Sequence, residues 1–230
     1  RHERLVATGF LTLGPKVLAE QDKQKMIMDI VDEQIDTLGR TFMGMTLGCA
    51  RCHDHKFDPI SMRDYYGLAG IMKSTRTMES LGRVAQWHEN SIAKPDQKAK
   101  REAHDRKITE MKTAIQRVIE TADNVLKAQL PNGETIPDEK ESRYSDEVKR
   151  ELKRLRKEQK ELDLSAPEIP SAMGLTEGDI ADARIHLRGS HLMLGDQVPR
   201  GVPFVLAYDG QPTISGEQSG RLELARWLAR

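Results

Sequence analysis

The sequence lacks the features that would mark a nucleic-acid-binding or membrane-spanning protein. It has no excess charge of either sign, since 36 Lys and Arg residues equal 36 Asp and Glu residues. A balanced chain offers no electrostatic footprint for nucleic acid. No apolar run approaches the roughly 20 residues that cross a bilayer as a helix. We therefore expect neither nucleic-acid binding nor a transmembrane segment in this chain.

The two ends lack the signals of a complete protein. The first residues are not Met and have none of the order of a signal peptide. The last residues, SGRLELARWLAR, begin an amphipathic helix that stops without a cap or breaker. We expect a fragment of a larger protein whose further domains, and any signal peptide, lie outside it.

Cysteine is scarce, and both cysteines stand in one short run, GCARCHDHKFDP, from Gly48 to Pro59. Two cysteines placed at random sit three positions apart in roughly one chain in a hundred of this length. In a C-x-x-C-H run, two thiols add to the two vinyl groups of haem, and the adjacent histidine binds the iron. The motif predicts covalent haem c on Cys49 and Cys52, with His53 as the proximal iron ligand. Such attachment needs an oxidising compartment, which predicts a periplasmic or cell-envelope location.

Other chemistry for the same motif stays open. Zinc could bind Cys49, Cys52 and His55 or His53 with one remote histidine, although structural zinc usually draws on a second knuckle, and the sequence has none. A redox dithiol of the thioredoxin type usually follows a strand, whereas here a helix is predicted before the motif. A plain disulfide between the two cysteines is also conceivable. The rival function is therefore a non-catalytic interaction or scaffold module, stapled by structural zinc or a disulfide.

The side chains around the motif have less specific patterns. His55 could hydrogen-bond a haem propionate or act as an acid or base. Asp54, Asp58 and Asp64 could join it in a cation site. A turn role for Asp58 and a capping role for Asp64 are the favoured interpretation. His186 and His191 are interpreted as surface or core histidines. The candidates for a sixth iron ligand, unranked, are Met62, Met72, Met78, His88 and His191.

The periodicity of apolar residues predicts where the motif lies in the fold. Apolar residues recur at helical spacing from Glu20 to about Gly48, and Ser61 with Asp64 reads as a capping box that opens a second helix. The motif is thus expected at a turn between two helices. Two apolar groups flank it as candidate haem walls or ordinary core: Phe42, Met43, Met45 and Leu47 before it, and Phe57, Tyr65, Tyr66 and Leu68 after it.

The rest of the chain predicts a mainly α protein with a small β segment (α+β). Heptad spacing predicts an antiparallel coiled-coil hairpin at residues 95–165, interpreted as a solvated spacer. Alternating residues with Gly and Pro predict short strands at residues 170–212.

Four segments resemble the multidomain cytochrome c-like proteins of planctomycetes: LVATGFLTLGPK, DEQIDTLGRTFMGMTLGCARCHDHKFDPISMRDYYGLAGIMKSTRT, DARIHLRGSHLMLGDQVPRG and SGEQSGRLELARWLA. In that family a domain of unknown function carrying the CxxCH motif precedes a second planctomycete-specific domain of unknown function. The resemblance implies that residues 1–80 are the C-terminal part of the first, cytochrome-like domain and that residues 213–230 begin the second. The resemblance implies an exported protein with haem on Cys49, Cys52 and His53. From this haem we expect a role in electron transfer with an unidentified redox partner. It also makes a carbohydrate-related redox role conceivable.

Overall fold

The computed structural model describes residues 2–129 and 140–230. Two compact units make up the chain: one runs up to Asn90 and includes Ser171–Arg230, and the other is Ser91–Pro170. The predicted class, mainly α with a small β part, is confirmed. The finer division at residues 80, 95, 165 and 212 stays a prediction. Among the described residues, no helix combines the length and apolar character needed to cross a membrane.

Four helices belong to the first unit: α1 His2–Thr8, α2 Lys23–Leu38, α3 Met62–Lys73 and α6 Arg221–Leu228. Helix α2 begins where the side chain of Asp22 accepts a hydrogen bond from the backbone N–H of Lys25 at 3.0 Å. The predicted capping box of α3 is present. Buried apolar side chains of α2, α3 and α6 form the core with Leu47, Ala50 and Ile60.

The expectation that α2 continues to about Gly48 is wrong. The helix ends at Leu38 and gives way to a π-helical turn, Gly39–Met43, and a left-handed Gly44 with φ +66°. The cause is a close backbone approach, because a Cβ on Gly39 would lie 2.7 Å from the carbonyl oxygen of Met45. The chain therefore folds back before the motif.

The strands of the described chain are short and pair two by two. They are β1 Thr75–Arg76, β2 Met78–Ser80, β3 Gln86–Trp87, β4 Glu89–Ser91, β5 Ser171–Met173, β6 Thr176–Glu177, β7 Ala183–His186 and β8 Leu194–Val198. Strand β1 pairs with β6, β2 with β3, β4 with β5 and β7 with β8. The antiparallel β7–β8 hairpin packs on α3, which brings its loop to the cysteine motif.

The second unit consists of α4 Pro95–Gln129 and α5 Asp146–Leu164, preceded by a 3-10 turn at Lys140–Arg143. At one end His104 Nε2 donates to the carbonyl of Leu162 at 2.9 Å, so the two helices run antiparallel. Their apolar seam contains Ile115, Ala122, Leu126, Tyr144, Leu152 and Leu155. The predicted proline- and glycine-containing break falls mainly on residues 130–139, which lie outside the described residues.

Candidate functional site

The two cysteines lie on a short 3-10 turn, Leu47–Arg51, and on the residue that follows it. The turn is anchored by Leu47 and Ala50, which are 1% and 0% exposed in the core. Cys49 and Cys52 are both exposed and both free. The apolar residues of the turn thus face inward, and the two thiols are presented to solvent.

Arg51, between the two cysteines, fastens this turn to helix α2. Its guanidinium donates to Asp29 Oδ1 at 3.1 Å and to Asp32 Oδ2 at 3.2 Å. The side chain of Arg51 is only 16% exposed. Burial opposes its charge, but Asp32 and its neighbours outweigh that effect and raise the pKa of Arg51 above its ordinary value. The sequence reasoning missed this role, although the spacing of the two aspartates on one helical face was a signal for it.

Two buried tyrosines of α3 complete the attachment of the turn. Tyr65 donates its hydroxyl hydrogen to Asp32 Oδ1 at 2.6 Å, and Tyr66 donates to the carbonyl oxygen of Arg51 at 3.0 Å. Burial raises the pKa of Tyr66 to about 12, and burial followed by Asp32 raises that of Tyr65. Both hydroxyls therefore stay protonated and hold the turn as donors.

The orientation of His53 leaves one ring nitrogen available as a ligand. Its Nδ1 lies 2.7 Å from the carbonyl oxygen of Asp54. A carbonyl can only accept, so Nδ1 carries the hydrogen and Nε2 keeps its lone pair. His53 is exposed, and a hydrogen bond of this kind is what fixes a metal-binding histidine in structures generally.

His55 has the opposite arrangement. Its Nδ1 accepts the backbone N–H groups of Phe57 and Asp58, at 3.3 and 2.8 Å, so the ring hydrogen is on Nε2. That Nε2 lies 3.3 Å from Thr46 Oγ1. The side chain of His55 is 5% exposed. Nδ1 thus holds the loop after the motif and Nε2 faces Thr46 before it, so His55 offers no free lone pair to a metal.

The acids after the motif also serve the backbone. Asp54 Oδ1 accepts the N–H of Met62 at 2.8 Å at the start of α3, and Asp64 accepts from the N–H of Ser61 at 2.8 Å in the capping box. Asp58 Oδ2 lies 3.3 Å from His55 Nδ1. Within the described residues, no group of three or more His, Cys, Asp or Glu side chains is arranged to hold a metal ion.

The candidate sixth ligands are spread over different elements of the first unit. Met72 is buried in the core. His88 uses both nitrogens, 2.8 Å from Glu79 and 3.0 Å from Thr176. His191 Nε2 lies 2.8 Å from Asp22 Oδ2 and belongs to the β7–β8 loop that reaches the motif. Neither His88 nor Met72 is therefore free as the structure stands.

The candidate walls divide between core and surface. Tyr65, Tyr66, Leu68 and Leu47 are fully buried, so they belong to the core. Phe57 is 83% exposed and Phe42 is 58% exposed. Of the four aromatic candidate walls, Phe42 and Phe57 are thus the two that are open to a ligand.

A contact that the sequence did not predict joins the motif to the hairpin β7–β8. Gly189, in the loop of that hairpin, is packed directly on the side chain of Cys52. The ring of His186, at the end of β7, lies 5.3 Å from the ring of Tyr66. A cavity of about 570 Å³ lies at the other end of α3 and is bordered by Met72, Lys73 and Glu177. The candidate site is therefore the exposed surface around the two thiols.

A comparison with protein families finds a match over the part of the chain that contains the turn and His53. Residues 1–77 match the family model PSCyt2, described as a protein of unknown function (DUF1549), a planctomycete domain associated with cytochrome c. The match includes Cys49, Cys52 and His53. No curated protein and no solved structure matches this chain. The resemblance seen in the sequence is confirmed over this part, and the second planctomycete-specific domain stays a prediction.

Proposed function

We propose that Cys49, Cys52 and His53 bind one haem covalently, and that the chain transfers electrons as part of an exported multidomain protein. The observation that carries the proposal is the pairing of two exposed thiols with a histidine whose Nε2 is free. That nitrogen is left free because Nδ1 is bonded to the carbonyl of Asp54. The match to a cytochrome-associated family over the same residues supports it.

The donor set suits haem better than it suits zinc. Each thiol adds across one vinyl group, and its hydrogen goes to the second vinyl carbon, so the attachment consumes no oxidant or reductant. This requires two accessible sulfurs, and both cysteines are exposed. Zinc would need further ligands, whereas both nitrogens of His55 are occupied by the loop.

The residues around the motif hold the three donors in place. Arg51 ties the turn to α2, and Tyr66 ties it to α3. Haem supplies one-electron redox chemistry when bound, with a potential set by its axial ligands and its burial. Because the haem-attachment machinery works outside the cytoplasm, the proposal includes export to the periplasm or cell envelope.

The first experiment measures covalent haem. The chain is expressed with a signal peptide beside the haem-attachment machinery, then denatured, washed and analysed by its pyridine haemochrome spectrum. We expect a c-type α-band that is lost in the Cys49→Ala/Cys52→Ala variant. Colourless protein that is folded and exported would overturn the proposal.

A second comparison separates the two histidines of the motif. His53→Ala is expected to remove the axial imidazole signature from the absorption spectrum of the reduced protein. His55→Ala, the matched variant two residues away, is expected to lower the stability of the loop but to keep that signature. Loss of the signature in His55→Ala alone would contradict the assignment of His53.

A further inference from the structure

The loop between β7 and β8 makes an unusually close contact with one of the two cysteines. A Cβ placed on Gly189 would lie 2.4 Å from Cys52 Sγ and 3.6 Å from Cys52 Cβ. Real Cβ atoms do not approach another heavy atom so closely, so only glycine fits without a shift of the thiol or of the loop. Gly189 is also left-handed, with φ +77°.

The backbone conformation of the loop is kept by a hydrogen bond within the loop and by a ring contact at its base. Arg188 is left-handed as well, with φ +54°, an uncommon conformation for a residue other than glycine. The N–H of Leu187 donates to the carbonyl of Met193 at 2.8 Å, which closes the loop. At its base, the His186 ring packs on Tyr66, whose hydroxyl bonds to the turn that carries the cysteines. A strained conformation kept at such a contact points to a role for that contact.

The same loop exposes apolar side chains to solvent. Leu187, Leu192, Met193 and Leu194 are 44%, 80%, 56% and 47% exposed. Four exposed apolar residues within eight positions are more than an isolated exposed side chain, and such surface commonly marks a binding site. They lie on the loop that contacts the Cys52 thiol. A large apolar group attached to that thiol would be shielded from water by such side chains.

We infer that the β7–β8 loop is part of the haem-attachment site and that Gly189 is a positioning residue, which sets the orientation of the Cys52 thiol. The loop supplies apolar cover for the attached group through Leu192 and Met193. This inference rests on the proposed function and adds to it a segment far away in sequence, outside residues 1–77 that match the cytochrome-associated family.

The test replaces Gly189 by alanine and uses Gly210→Ala as the matched control. Gly210 is left-handed to the same degree, with φ +76°, but a Cβ on it would meet nothing within 4 Å. Both variants therefore carry the same backbone strain, and only Gly189→Ala presses on the cysteine. Gly189→Asn is a second variant, since asparagine tolerates the left-handed region while it keeps the Cβ.

The first readout needs no haem. The free chain is treated briefly with iodoacetamide, and the alkylation of each cysteine is quantified by peptide mass spectrometry. We expect the ratio of Cys52 to Cys49 labelling to rise several-fold in Gly189→Ala and Gly189→Asn, because either the thiol or the loop must move. Gly210→Ala is expected to keep the wild-type ratio. An unchanged ratio in both Gly189 variants would overturn the inference.

The second readout follows attachment. In both Gly189 variants we expect the fraction of chains with two thioethers to fall, while linkage through Cys49 persists. The α-band of the haemochrome then moves to longer wavelength, because one vinyl group is retained. Two intact thioethers in both variants would overturn the inference and leave the proposed function standing. Wild-type protein without any covalent haem would overturn both.

Discussion

Acid is expected to weaken the first unit through one buried histidine of the hairpin, His186. The side chain is 7% exposed. Its burial, followed by the positive charges of Arg51, Lys73 and His191, lowers its pKa to about 4 from the ordinary 6.5. The folded chain therefore keeps this ring neutral at pH values where the unfolded chain protonates it.

The sign and the size follow from proton linkage. Because the folded pKa lies below the unfolded one, the unfolded chain binds more protons, and stability falls as the pH drops from 6.5 towards 4. The full shift corresponds to about 3 kcal/mol. Between about pH 7 and about pH 5 the loss of unfolding free energy from this one ring is about 2 kcal/mol.

The assay is urea unfolding followed by tryptophan fluorescence at these two pH values. The chain has two tryptophans, Trp87 and Trp227, and both belong to the first unit, so the signal reports that unit alone. His186→Phe keeps an aromatic ring beside Tyr66 and removes the titration. Wild type is expected to lose about 2 kcal/mol more than the variant on acidification. Equal losses in the two proteins would refute the reasoning.

Three further variants test single interactions. Arg51→Met breaks the attachment to α2 and is expected to lower the free energy of unfolding of the first unit, measured in urea, by about 2 kcal/mol. The control is Arg40→Met, which removes an exposed ion pair and is expected to lower the same free energy by less than about 0.5 kcal/mol. Equal effects would contradict the role of Arg51. Ser61→Ala removes the capping box of α3 and is expected to cost about 1 kcal/mol by the same assay; no loss would show that the cap does not stabilise α3. Tyr144→Phe removes the hydrogen bond to Asp123 in the second unit and is expected to cost about 1 kcal/mol, measured by circular dichroism during thermal unfolding; an unchanged transition would count against that bond.

Local patterns in the sequence were enough for the helices that flank the motif. The spacing of apolar residues predicted α2, and the Ser61–Asp64 pair predicted the start of α3. Both signals depend on residues three or four positions apart. The end of α2 was missed by about ten residues. It is set by a close approach of Gly39 to the backbone of Met45, and a helical apolar pattern does not reveal a backbone contact of that kind.

The sequence was enough to propose the donor residues of the candidate site, but it did not predict the contacts that surround them. The spacing of Cys49, Cys52 and His53 is a local property, and it identified the motif. The difference between His53 and His55 depends on which backbone groups reach each ring. Two histidines separated by one residue look equivalent until the loop conformation decides which nitrogen is free.

Long-range contacts hold the turn of the motif although both cysteines are exposed. The turn is fixed by Arg51 to α2, by Tyr66 to α3 and by Gly189 to the β7–β8 loop. Exposed side chains on an ordinary surface loop would have to lose their freedom when a ligand joined two of them at once. A site that is already held from three sides loses less entropy on binding, so more of the interaction energy remains for the ligand. Such an arrangement would favour the two-point attachment of haem to Cys49 and Cys52 proposed above.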